Sequence, residues 1–127
     1  MSLAARQAAE RRGRRGEGWA VLLLTLKGYR ILGRRVRTRL GEIDLVARAP
    51  SGLVCFIEVK ARDAEDDALR ALKPRQRHRI ERAAALYLAQ RPGLAAKGFR
   101  FDVVTVAGRG RFAWPLHARD VWRPGEA

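Results

Sequence analysis

Apolar and polar positions along the chain fall into segments of two different periods. Over residues 3–27, Ala and Leu supply helix propensity, and Trp19, Val21, Leu22, Leu23 and Leu26 give a broad apolar face. Gly13, Gly16 and Gly18 interrupt that helix, which predicts a bend or a close backbone approach there. The first twelve residues read as its beginning or as a mobile arm. Lys27-Gly28-Tyr29 marks the helix end, with Gly28 near the C′ position. The period then shortens to two. Residues 29–39, 42–49 and 53–62 read as three strands, joined by turns at Leu40-Gly41 and Ala49-Pro50-Ser51-Gly52. Beyond an acidic loop at 63–67, Pro74 opens a second helix running to about Gln90. There Ile80, Ala83, Ala84, Tyr87 and Leu88 follow the spacing of one buried face. Residues 99–107 form a fourth strand, 111–114 a short fifth, and 123–127 a disordered tail. A helix between the third and fourth strands permits a parallel crossover. The fold class is therefore α/β, a mixed β-sheet flanked by α-helices.

Length and charge narrow the picture. The 127 residues suit a single domain spanning 1–127 with an ordinary core. One cysteine, Cys55, excludes an intrachain disulfide and a Cys-based zinc cluster, and a reducing, cytoplasmic setting is expected. The apolar run before Lys27 is too short to span a membrane, and no small-residue cleavage site follows it. The formal net charge is +14, with a pI near 11.6, which calls for a polyanionic partner such as nucleic acid. That charge is uneven. Residues 1–40 carry a net +9, residues 41–69 a net −4 and residues 70–100 a net +8. Two basic segments thus flank an acidic one.

The acidic segment holds the candidate chemistry. Alternation along a strand puts Glu42 and Asp44 on one face, and Glu58 and Lys60 on one face of the next strand. The hairpin turn at 49–52 makes those strands antiparallel neighbours, so Asp44 and Glu58 can lie side by side. Adjacent carboxylates need a cation, a shared proton or full solvation. A hard divalent ion takes such carboxylates together with a carbonyl, water and phosphate oxygens. It polarises a phosphodiester and acidifies a bound water. Lys60 beside it can orient that water and stabilise charge developing on phosphate. The plainer alternative is a solvated strand face carrying a Glu58–Lys60 ion pair.

Asp44, thirteen intervening residues and Glu58-Val59-Lys60 resemble the PD-(D/E)xK nuclease pattern. The wider string is Gly16-Glu17, Gly28-Tyr29-Arg30-Ile31-Leu32, Arg37, Gly41-Glu42-Ile43-Asp44-Leu45, Glu58-Val59-Lys60-Ala61-Arg62, Lys73 and Arg100-Phe101-Asp102-Val103-Val104. Together these resemble the YraN-like family of bacterial proteins. The resemblance implies a restriction-endonuclease-like core of the kind shared with Holliday junction resolvases. It further implies a Mg²⁺ or Mn²⁺ ion held by Asp44, Glu58 and the Val59 carbonyl, with Lys60 assisting the water. Glu17, on the first helix, would complete the site; its alternative is an ion pair with Arg14. A homodimer is implied for a nuclease of this size acting on a two-fold substrate. Val36 stands where the resemblance leads one to expect Asn, and the 63–72 loop lacks an expected glycine, which touches substrate contacts and not the metal site.

Arg37, Lys73, Arg75, Arg77 and Arg79 are the candidate nucleic-acid contacts, with Arg70 and Arg82 extending the basic side of the second helix. Lys73 reads equally as a solvated helix start, and Glu42 as a residue further out than Asp44. Asp102, in an apolar strand, points to a buried ion pair with Arg100 or Arg62. Cys55 and Trp19 read as core, His78 as a solvent or phosphate contact, and Trp114 and Trp122 as core or base-stacking residues. The expected function is a metal-dependent nuclease hydrolysing DNA phosphodiester bonds, at branched or junction structures. The alternative is a non-catalytic nucleic-acid-binding protein that keeps the fold. An RNA- or ribosome-associated factor has no aromatic RNA-binding motif behind it, and a membrane-surface helix leaves the strand carboxylates unexplained.

Overall fold

The structure is a computed structural model that describes residues 2–61, 72–107 and 114–125, and the backbone alone for residues 5–15. Helix α1 spans Leu3–Leu26 and begins well inside the stretch read as a possible arm. It stops in a Schellman arrangement. Gly28 takes φ +86°, its N–H donates to the Thr25 carbonyl at 3.0 Å, and the Tyr29 N–H donates to the Leu24 carbonyl at 2.9 Å. The chain then runs β1 (Arg30–Thr38), β2 (Gly41–Arg48), β3 (Val54–Ala61), α2 (Pro74–Ala89), β4 (Phe99–Ala107) and β5 (Trp114–Trp122).

The five strands form one open sheet in chain order, with every neighbouring pair antiparallel except β3 and β4. Helix α2 is the crossover between that parallel pair. Pro74 sits in its first turn, where a missing N–H costs nothing, and Gln90 closes it. The helices cover opposite faces of the sheet. Ile80, Ala83, Ala84 and Tyr87 of α2 pack with Ile43, Val46, Val54, Phe56, Phe101, Val103 and Trp122. Ala20 and Leu24 of α1 pack with Leu45, Ala47, Cys55, Ile57, Val104 and Val106 on the other side. Two apolar layers enclosing a sheet explain why β3 and β4 read as continuous apolar runs rather than alternating ones.

The fifth strand differs from its sequence expectation. It is not a short piece at 111–114 but the nine residues Trp114–Trp122, and residues 111–113 lie outside the described ones. Pro115, His117, Arg119 and Asp120 break the apolar alternation there, and Asp120 takes φ +52°. The strand forms because His117 and Trp122 find partners on and beside β4, not because its own pattern is strand-like. Trp122 stacks on Phe101 with ring centroids 4.8 Å apart, which places it in the core and out of reach of bases. Trp114 is the exposed one, at 68%. Trp19 packs at the margin of the α1 layer, and Cys55 is buried. Arg123 follows β5 and Pro124 and Gly125 form a turn; residues 126 and 127 lie outside the described ones, as does the acidic loop at 63–67. Among the described residues, no helix is long and apolar enough to cross a membrane.

Candidate active site

The site lies where β2 and β3 part. Their ladder pairs Arg48 with Val54 and ends at Leu45 with Ile57. Continued, it would set Asp44 opposite Glu58 and Ile43 opposite Val59. Instead the Val59 N–H donates to Asp44 Oδ2 at 2.8 Å. A strand residue's N–H and C=O point to the same side, so the Val59 carbonyl also faces β2. The face alternation slips at the same place: Ile43 packs in the α2 layer, yet Leu45 packs in the α1 layer. Asp44 sits at that slip, half-buried, and its side chain does the pairing that the backbone has given up.

Glu58 is 8% exposed and Asp44 is hydrogen-bonded to it. Burial pushes the Glu58 carboxyl up to about 8, the Asp44 charge adds to the rise, and Lys60 opposes it without cancelling it. Burial also raises Asp44, offset in part by the Val59 N–H and by the Lys60 charge. Both carboxyls are thus raised, chiefly by burial, and each feels the other. Lys60 Nζ lies 3.4 Å from Glu58 Oε1. Hard oxygen donors on an opened strand edge are the donor set that a Mg²⁺-sized ion takes. Among the described residues, no cluster of three or more His, Cys, Asp or Glu side chains forms; the oxygens that could meet a cation here are those of Asp44, Glu58 and the Val59 carbonyl.

Glu17 is only 6% exposed. The α1 backbone comes close to the sheet at Gly16, where a Cβ would touch Val59 and Val106 at 3.7 Å. That approach is the close passage the glycines predicted, and it carries Glu17 under β1. Among the described residues its partners lie on β1, not on its own helix. Arg34 Nε reaches Glu17 Oε1 at 3.1 Å and Arg35 Nε reaches Oε2 at 2.9 Å. The Arg14 side chain, the partner expected from sequence, lies outside the described residues. Glu17 stands close enough to Asp44 for its charge to contribute to Asp44's raised pKa.

Gln76 is the residue that the sequence reading passed over. Its Nε2 donates to Glu58 Oε1 at 3.3 Å. The signal was present: Gln76, Ile80, Ala83 and Tyr87 occupy one helical stripe, and Gln76 is the only polar member. An uncharged amide on a buried stripe, surrounded in sequence by arginines, points into the protein.

The expected nucleic-acid contacts differ in exposure and in what they engage. Arg37 is exposed and pairs across the strands with Glu42 at 3.6 Å, which puts Glu42 at the rim and not in the site. Lys73 caps α2 without a side-chain hydrogen bond and is exposed. Arg75, Arg79 and Arg82 share an exposed stripe of α2, whereas Arg77 is half-buried and leaves it. Arg79 also packs its stem on the β1–β2 turn, where a Cβ on Gly41 would lie 2.8 Å from Arg79 Cγ. His78 joins Arg75, Glu81 and Arg82 around an open cleft of about 560 Å³. Arg70 lies outside the described residues.

Asp102 belongs to a second polar cluster on the α1 face. It is fully buried and accepts from Arg100 Nε at 3.0 Å, from the Asp120 N–H at 2.9 Å and, through Oδ2, from His117 Nε2 at 2.8 Å. Burial alone would raise its carboxyl; these hydrogen bonds outweigh burial and hold it below the ordinary carboxylate value. His117 Nδ1 in turn meets Lys27 Nζ at 2.6 Å, and Arg100 reaches the Tyr29 hydroxyl. Of the two partners expected for Asp102, the structure provides Arg100, and Arg62 lies outside the described residues. The cluster ties α1, β4 and β5 together and stands apart from Asp44 and Glu58.

Comparison with known proteins follows the same residues. Residues 16–106 match the family described as Uncharacterised protein family UPF0102, a span that runs from the α1 glycine beside Glu17 to the end of β4. A UPF0102 protein of Parvibaculum lavamentivorans is 52% identical over 117 residues, covering 92% of this chain and 85% of that relative. One from Paramagnetospirillum magneticum is 51% identical over 123 residues, covering 94% and 92%. One from Maricaulis maris is 50% identical over 123 residues, covering 97% and 94%. With identity of this level over nearly the whole of each chain, the protein belongs to the UPF0102 family, the YraN-like proteins.

Proposed function

We propose that this protein is a nuclease of restriction-endonuclease-like core that hydrolyses DNA phosphodiester bonds with a divalent cation, Mg²⁺ or Mn²⁺. The observation that carries the proposal is the grouping of Asp44, buried Glu58 and Lys60 at an edge opened between two strands, with Lys60 Nζ 3.4 Å from Glu58 Oε1 and the Val59 N–H 2.8 Å from Asp44 Oδ2. A buried carboxyl pair of this kind costs stability, which a bound cation would offset. Asp44, Glu58 and the Val59 carbonyl would hold the cation, and binding would release the Glu58 proton. The bound ion supplies polarisation of the phosphodiester and a more acidic water. Lys60 then orients that water and stabilises the charge that grows on the phosphate oxygens. Gln76 holds Glu58 Oε1 through its side-chain amide. The exposed α2 arginines and Lys73 supply attraction for the backbone of the substrate. The other reading, a binding module that retains the fold, draws on the same arginines but leaves the buried carboxyl pair without a purpose.

The test is a cleavage assay on labelled duplex, single-stranded, flap and four-way-junction DNA and on RNA, with Mg²⁺ or Mn²⁺. Wild-type protein is expected to give metal-dependent product on at least one DNA. Asp44→Ala and Lys60→Ala are expected to bind the same DNA while losing product by at least ~100-fold, the usual scale for a positioned catalytic group. Binding without product in all three proteins would sink the nuclease reading in favour of the binding module.

A further inference from the structure

Arg34 and Arg35 are two adjacent guanidinium groups aimed at one buried carboxylate, and that arrangement is unusual in three ways. Successive strand residues ordinarily point to opposite faces, yet both reach Glu17, one to each oxygen, at 3.1 and 2.9 Å. They manage it because Arg35 is turned into the left-handed region at φ +49°, a costly conformation for a residue with a side chain. Glu17 has almost no exposure, whereas both arginines are half open to solvent, at 53% and 39% of their side chains. The Asp44 and Glu42 charges also act on Arg35, so the pair lies at the border of the catalytic carboxyls.

Two forked cations converging on two oxygens form an anion seat. We infer that Arg34 and Arg35 are a binding site for a backbone phosphate of the substrate, and that Glu17 occupies this seat while substrate is absent. The inference rests on the nuclease reading of the site. A phosphate presents the same geometry of paired oxygens with more charge, and guanidinium groups bind it bidentately. The arginines approach from the solvent side, so a phosphate arriving there meets them without displacing β1. When the phosphate takes the guanidinium groups, Glu17 loses its counter-ions next to Asp44. The strain at Arg35 is then the cost of presenting both side chains to one anion. Substrate binding and release of Glu17 are coupled by a single exchange of partners.

A double-mutant cycle without metal isolates this exchange from catalysis. The affinity of a fluorescein-labelled 20-base-pair duplex is measured by anisotropy in EDTA over a range of salt. Five proteins are compared: wild type, Glu17→Gln, the pair Arg34→Gln/Arg35→Gln, the triple variant, and Glu42→Gln as a carboxylate removed from an exposed pair with the same change in net charge. Melting curves confirm that each is folded. Glu17→Gln is expected to tighten binding about three- to tenfold in the wild-type background, more than Glu42→Gln does, and to have no effect when the arginines are gone. The arginine pair variant is expected to weaken binding about tenfold or more and to flatten the salt slope by about two. Equal effects of Glu17→Gln and Glu42→Gln, or an additive cycle, would overturn the inference and leave Arg34 and Arg35 as counter-ions only, with the nuclease reading intact. Absence of duplex binding by the wild type would overturn both. If Glu17→Gln fails to fold, Glu17→Asp replaces it: a carboxylate shortened by one methylene cannot reach both guanidinium groups, and the same coupling is expected.

Discussion

Glu58 makes a claim that a pH titration can check. Its carboxyl is raised from the ordinary value of 4.5 to about 8, because the ionised form is buried beside Asp44. An acid whose folded pKa is raised costs nothing below its unfolded value and costs progressively more as pH climbs towards the folded one. Without metal, stability is therefore expected to fall between about pH 4.5 and pH 8. Glu58→Gln, which keeps the shape and removes the charge, is expected to flatten that decline and to be more stable at pH 8, by on the order of 1–3 kcal/mol. Urea denaturation at a series of pH values measures it; a wild type and variant with parallel profiles would contradict the assignment. The sequence made this residue legible, since a Glu between Ile57 and Val59 is conspicuous. It did not make Gln76 legible in the same way, because an amide carries no charge to stand out among arginines. Gln76→Ala is expected to leave the fold in place, to broaden the Glu58 titration seen by NMR and to lower any cleavage by about tenfold, as the carboxyl loses a donor that orients it.

Elements were legible where one force decided them. The α2 boundary follows from Pro74 and from the buried stripe of Ile80, Ala83 and Tyr87, and Ile80→Ala is expected to cost about 2–5 kcal/mol by chemical denaturation because that side chain sits between helix and sheet. The three-strand meander follows from its turns, and β4 from its unbroken apolar run. β5 was hidden because its partners are distant in sequence: Asp102 on β4 and Lys27 on α1 hold His117, and no local pattern announces them. Asp102 accordingly bears on element assembly more than on chemistry. Asp102→Asn is expected to destabilise the protein by about 3–5 kcal/mol, since it leaves Arg100 without its buried counter-charge. The wild-type contribution of Asp102 is present above about pH 4, where the unfolded carboxyl is ionised, and is lost as pH falls through its depressed folded value, so the gap between the two proteins should close under acid. Thermal melts from pH 7 down to pH 3 check both statements.

Over the whole molecule, the +14 charge separates into parts with different destinies. Arg34, Arg35, Arg37 and Arg100 are engaged with carboxylates, while Arg75, Arg79 and Arg82 face solvent on α2. Block arithmetic along the sequence located the basic segments but could not tell engaged arginines from exposed ones, because ion pairing is decided by tertiary neighbours. Replacing Arg75 and Arg82 together by Gln is expected to lower the salt slope of DNA binding by about two without altering the melting temperature. Cleft-lining residues that carried only solvation would leave the slope unchanged. Helix α1 gives this architecture a mechanical consequence. Past its midpoint it is bolted to the edge strand β1 through Glu17, and at its C-terminal end to the opposite edge strand β5 through Lys27 and His117, about 15 Å further along. A rod fixed to both rims of an open sheet acts as a diagonal brace and resists its twisting. Because the brace begins beside Asp44, loosening the far bolt should be felt at the near one. His117→Ala is expected to speed amide hydrogen exchange not only in β5 but also at Arg34 and Arg35, across the full width of the sheet.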